Sequence, residues 1–128
     1  MGQSTRKIFI SQPMNGMSDA EIIKRRDEIN TKVNAYFKEE CIFIDSFHKP
    51  IELVNKGRVA MLGHSIQLMA DADVVVFGVG YEDTNGCKIE YNVCQLYHIP
   101  TLYETELGIS KLSPAMNLRN NANVVYWR

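Results

Sequence analysis

A chain of 128 residues, 45% of them hydrophobic, has the length and content for one buried core and is too short for two ordinary domains. Its 14 Lys and Arg and 15 Asp and Glu leave a net charge of −1, spread without the polybasic stripe that holds a nucleic-acid backbone, so nucleic acid is excluded as an expected partner. No apolar run approaches the roughly 18 residues of a membrane helix, and MGQSTRKIFIS at the N-terminus lacks a signal-peptide core, so no membrane partner is expected.

In chain order, KIFIS (7–11) is a short β-branched and aromatic run, ended by the loop QPMNG with Pro13 and Gly16. Ser18 and Glu21 form a capping-box pattern, and Ile22, Ile29, Val33, Tyr36 and Phe37 follow at helical spacing, which predicts an amphipathic helix to about Glu39. CIFID (41–45) predicts a second strand. The segment SFHKPIELVNKGR after it shows no clean period. Met61, Leu62, Ile66 and Met69 predict a helix over 59–70, ahead of DVVVFGV, a continuous apolar run suited to a central strand buried on both faces. Ile89, Val93 and Leu96 mark the next helix, Pro100 ends it, and TLYE and NVVYW are the last two strands. Five strands alternating with helices predict a single α/β domain, with a mainly parallel sheet covered by helices on both faces.

Cys41, Cys87 and Cys94 form neither an even set nor a CxxC pair, and no His/Cys grouping has zinc spacing. A reducing cytoplasm and no metal site are the expectations. In an open α/β sheet, ligands bind beyond the carboxyl ends of the strands where strand order reverses. The loops SQPMNG, DSFHKP and GVGYEDTNG should converge there, two of them leading into helix N-termini that favour an anion. Neither GxGxxG nor GxxxxGK[ST] is present, and Gly78 and Gly80 are equally well explained as turn glycines. His48 reads as a solvated loop histidine, Cys87 as inert packing, and Asp71 and Asp73 as turn and capping residues.

Within VVVFGVGYEDTNGCKIEYNVCQLYHIP (74–100), Glu90 is expected on the first turn of a helix. The helix dipole stabilises a carboxylate there by roughly 0.3–1 kcal/mol, and this is one sufficient reason for it. The other is chemical: the same placement aims a carboxylate at the crevice, as a nucleophile toward a sugar carbon or as a base.

KIFISQPMNGMSDAE, followed later by ADADVVVFGVGYEDTNGCKIEYNVCQLYHIP, resembles the nucleoside 2-deoxyribosyltransferase superfamily, which includes 2'-deoxynucleoside 5'-phosphate N-hydrolases and small phage and bacterial relatives. The resemblance covers nearly the whole chain and implies a Rossmann/flavodoxin-like fold of the deoxyribosyltransferase type. In that family a Glu in a pattern like [ST]-x-G-x-x-x-E attacks the anomeric carbon and displaces the base, and Thr84, Gly86 and Glu90 match it. The resemblance further implies that the first strand and loop (Phe9, Ser11, Gln12, Pro13, Met14, Asn15, Gly16) and the segment Thr84, Asn85, Gly86 bind the substrate. PAMNLRNNANVVYW looks like the segment lent to a neighbouring subunit, so Asn117 and Arg119 would act in trans within a homodimer or larger homo-oligomer.

Two positions depart from the family pattern. Phe9 stands where a Tyr hydroxyl usually orients the nucleophile, and Ser65, with His64 beside it, stands where an Asp usually serves as acid or base. The candidate catalytic set is therefore Glu90, Ser65 and His64, acting on a nucleoside or nucleoside 5'-monophosphate without metal or organic cofactor. The alternative is a catalytically impaired protein on the same fold that senses or sequesters a nucleotide, and Phe9 and Ser65 are the features that favour it.

Overall fold

The computed structural model describes residues 3–109. The chain alternates through β1 (Gln3–Ser11), α1 (Asp19–Phe37), β2 (Glu40–Phe43), α2 (Ile51–Lys56), α3 (Arg58–Met69), β3 (Val74–Phe77), α4 (Asn85–Tyr97), β4 (Thr101–Tyr103) and α5 (Glu104–Ile109). All the strand pairings are parallel, in the order β2-β1-β3-β4. The described sheet thus has four strands. The fifth strand expected at NVVYW lies outside the described residues. The short helix α2, in a segment whose sequence has no clean period, is an addition to the expected elements.

Helices cover both faces because the apolar residues of β1 and β3 alternate sides. Ile8, Ile10, Val76 and Leu102 pack with Ile29 and Val33 of α1 and Leu107 of α5. On the other face Phe9, Val75 and Phe77 pack with Met69 at the end of α3 and Cys94 of α4. β3 is buried along nearly its whole length, as an interior strand must be. The capping box at the start of α1 is formed: the Glu21 amide donates to Ser18 Oγ at 3.2 Å and the Ser18 amide to Glu21 Oε1 at 2.8 Å.

The apolar set Ile89, Val93 and Leu96 predicts α4, but of the three only Val93 packs on the core. Cys87, Glu90 and Cys94 point inward, whereas Ile89 is 42% and Leu96 73% exposed. The inward stripe keeps helical spacing, but one of its members is a carboxylate, so a count of apolar residues passes over it. Gly78 is fixed by packing, since a Cβ there would lie 3.3 Å from Ile29 Cδ1 and 3.4 Å from Gln12 Cβ.

One buried carboxylate ties the α1 face to the strand ends. Glu104 opens α5 and is 4% exposed; both Arg25 guanidinium nitrogens bind it, Lys32 Nζ lies 2.9 Å from it and the Val79 amide donates to it at 3.0 Å. Burial alone would raise its pKa, but the hydrogen bonds from Arg25, Val79 and Lys32 outweigh burial and hold it at about 2, against an ordinary 4.5. A folded-state value below the unfolded one means stabilisation that is complete above the ordinary carboxylate pKa and lost as the pH falls toward the folded value. Glu104→Gln is expected to cost about 3 kcal/mol of unfolding free energy at pH 7, with the gap to wild type closing as the pH is lowered. Urea unfolding of both proteins between pH 7 and pH 3 measures this, and an unchanged gap at low pH would contradict the assignment.

Candidate active site

The carboxyl ends of β1 and β3 meet where the strand order reverses. Phe77 pairs with Ser11, and the Gly78 amide donates to the Ser11 carbonyl at 2.8 Å, which carries the pairing to the first residue of the loop. Beyond these ends lies a cavity of about 290 Å³, near the lower end of the range for small-molecule sites. Gln12, Met14 and Asn15 line it from the first loop, Phe47 and Lys49 from the second, and Thr84, Gly86 and Glu90 from the start of α4. Met61, Leu62 and Ser65 close it from α3.

Glu90 is not on the first turn of its helix. α4 begins at Asn85, so Glu90 is the sixth helical residue, and the first turn holds no acidic side chain. Dipole stabilisation, which fades beyond the first turn, therefore does not account for it. The side chain is 7% exposed and lines the cavity. Ser11 Oγ donates to its Oε1 at 2.6 Å. Among the described residues no group donates to Oε2, so one oxygen is held and the other is free.

Burial raises the Glu90 pKa, and the Ser11 hydrogen bond and the positive charges of Lys49 and Arg26 limit that rise. Lys49 Nζ donates to Ser65 Oγ at 2.7 Å and lies 3.2 Å from His64 Nδ1. Burial pushes the Lys49 ammonium down, and the Glu90 and Asp45 carboxylates oppose the shift. Arg26 reaches in from α1: its Nε donates to Gln12 Oε1 and its Nη1 to Ser46 Oγ at 3.1 Å, while buried Nη2 has no hydrogen-bond partner among the described residues. Thr84 Oγ1 is also buried, with the Cys87 thiol beside it.

The sequence candidates separate accordingly. Gln12, Met14, Asn15, Ser65, Thr84, Gly86 and Glu90 come together around the cavity, and Ser11 stands behind Glu90. Phe9 does not line it: two residues back along β1, roughly 7 Å, it is 1% exposed beneath Met69 and Cys94. Pro13 packs toward Gly80, whose φ of +89° marks a turn, and Gly16, at φ +77°, and Asn85 do not line the cavity although their chain neighbours Asn15, Thr84 and Gly86 do. His64 touches Lys49 and does not line the cavity. Asn117 and Arg119 lie outside the described residues.

Lys49, Arg26 and Ser46 are absent from the sequence candidates. The loop DSFHKP was expected at the crevice without its lysine being singled out, and His48, expected to be solvated, faces Asp45 at 2.9 Å with its side chain 74% exposed. Among the described residues, no group of three His, Cys, Asp or Glu side chains is arranged to hold a metal ion. No helix among them is long and apolar enough to cross a membrane. Compared with known proteins, the chain matches no family model, no curated protein and no solved structure.

Because the Glu90 pKa is raised in the fold, ionising it favours the unfolded state. That penalty is absent below the unfolded carboxylate pKa and grows as the pH rises through the folded value. Glu90→Gln should therefore stabilise the protein at pH 7, a gain that vanishes as the pH falls below the ordinary carboxylate range. Thermal unfolding across pH 4–8 tests this, and a variant less stable than wild type at pH 7 would refute it.

Proposed function

We propose that the protein is a member of the nucleoside 2-deoxyribosyltransferase superfamily with a Rossmann-like, flavodoxin-type sheet, and that it cleaves or transfers at the N-glycosidic bond of a nucleoside or nucleoside 5'-monophosphate. The observation that carries this reading is Glu90: a buried carboxylate lining the cavity at the strand-order reversal, one oxygen held by Ser11 and the other free. An oxygen so placed suits attack on an anomeric carbon, giving a glycosyl ester that water or a second base then resolves. The hydroxyl missing at Phe9 is supplied one pleat further along the same strand face, by Ser11.

The remaining walls fit a flat base on an anionic sugar. Phe47, Met61 and Leu62 offer an apolar side for the base, and Gln12 and Asn15 offer amides. The unpartnered Arg26 Nη2 gives the region a positive character that favours a 5'-phosphate. The exposed residues Ile89, Leu96 and Tyr97 on the outer face of α4 support a homo-oligomer.

Release of free base from a panel of nucleosides and 5'-monophosphates, with and without an acceptor base, is the direct test. Wild type is expected to release base, Glu90→Ala to abolish release, and Ser11→Ala to lower kcat by roughly 10²-fold while leaving the fold intact. If nothing is turned over while a nucleotide still raises the melting temperature, the protein is a nucleotide-binding module and the enzymatic reading is wrong.

A further inference from the structure

Among the described residues the cavity is lined by the proposed nucleophile, Glu90, and by no second carboxylate. Of the side chains that line it, the ones able to carry or give a proton near neutral pH are Glu90, Cys87 and Lys49. The Cys87 thiol is buried, 5% exposed, and its single proton already has the Ser11 and Thr84 hydroxyls beside it as acceptors. Lys49 is then the remaining donor. Its ammonium has three protons; Ser65 Oγ takes one and His64 Nδ1 faces a second, which leaves the third without a protein acceptor among the described residues. No hydrogen bond or ion pair joins Lys49 to Glu90, so the two line one cavity without neutralising each other directly.

From this arrangement we infer that Lys49 is the general acid that protonates the departing base, held in place by Ser65 and His64 as positioning residues. The inference rests on the glycosidic reading above and assigns that reaction its proton donor. Glu90 Oε2 forms a bond to C1' as the C1'–N bond breaks, and the electron pair of that bond goes to the base. The base takes a proton from the Lys49 ammonium, which becomes a neutral amine. When water attacks C1' of the glycosyl ester, the C1'–Oε2 bond breaks, the carboxylate is restored and the amine takes the proton of the attacking water. His64 serves with its proton on Nε2, so that Nδ1 can accept from the ammonium.

The charged and titratable groups facing Lys49 are Glu90 from α4, Arg26 from α1, His64 from α3 and Asp45 from its own loop. Burial lowers the Lys49 pKa, which brings an ammonium closer to the working range of a general acid. Ser65 then fills the place of the missing Asp by holding the acid instead of being one.

The test compares Lys49→Met, Lys49→Arg and Glu90→Ala on the nucleotide that wild type cleaves, with its native base and with an activated one. An N7-methylated purine, or a 5-nitro pyrimidine, leaves without needing a proton. Lys49→Met is expected to lose about 10²-fold or more in kcat on the native base and no more than several-fold on the activated base. Lys49→Arg keeps the charge but does not release its proton, so it should fall with Lys49→Met on the native base. Glu90→Ala should abolish both. Ser65→Ala, which keeps the lysine in case Lys49→Met unfolds, should show the same preference for the activated base with a smaller loss. Equal losses of Lys49→Met on both bases, or full activity of Lys49→Arg on the native base, would overturn the assignment while leaving Glu90 as nucleophile. Wild type that cleaves neither substrate would overturn the glycosidic reading itself, and the role of Lys49 with it.

Discussion

The parallel pairing of β1 with β3 is the constraint on which the site depends. Its register sets Ser11 opposite Phe77 at the carboxyl end of both strands, directly under α4. Side chains alternate across a sheet with a period of two, so a slip of one residue would carry Ser11 to the α1 face and set Ile10 against Glu90. The same slip would exchange the two core clusters, taking Ile8 and Ile10 away from Ile29 and Val33. Packing on both faces therefore holds in register the hydroxyl that holds Glu90.

Two buried carboxylates show how environment drives the same side chain in opposite directions. Glu104 has Arg25, Lys32 and a backbone amide around it and stays ionised far below the usual range. Glu90 has one hydroxyl and two more distant cations, and its pKa moves the other way. Their exposures are nearly equal, 4% and 7%, but Glu90 lies deeper below the surface and has one donor where Glu104 has several, and both differences push the two pKa values apart. A carboxylate left with a free oxygen and a net desolvation cost is a poor choice for stability and a suitable one for a reacting group.

The surroundings of Glu90 come from four parts of the chain. Ser11 ends β1, Arg26 lies on α1, Lys49 on the loop after β2, and Ser65 on α3. Residues 54 apart, Ser11 and Ser65, serve the same cavity from opposite sides: one orients the carboxylate and the other takes a proton of the lysine. The family pattern that the sequence resembles leads to the expectation of a Tyr at Phe9 and an Asp at Ser65, and the chain has neither. In three dimensions a hydroxyl and an ammonium stand in those regions.

Local chemistry in the sequence determined the elements whose signal is short-ranged: the capping box of Ser18 and Glu21, the Ile22–Ile29–Val33 stripe of α1, the doubly buried run of β3 and the alternation that makes a parallel α/β sheet. It also singled out the three loops at the strand ends and Glu90 itself. Tertiary structure alone decided which face of α4 turns inward, because Glu90 in that stripe finds its hydrogen bond in Ser11 and its opposing charges in Lys49 and Arg26, none of them near it in sequence. For the same reason only the fold separated Lys49 from His48, adjacent in the chain, one facing the cavity and the other facing Asp45 at the surface.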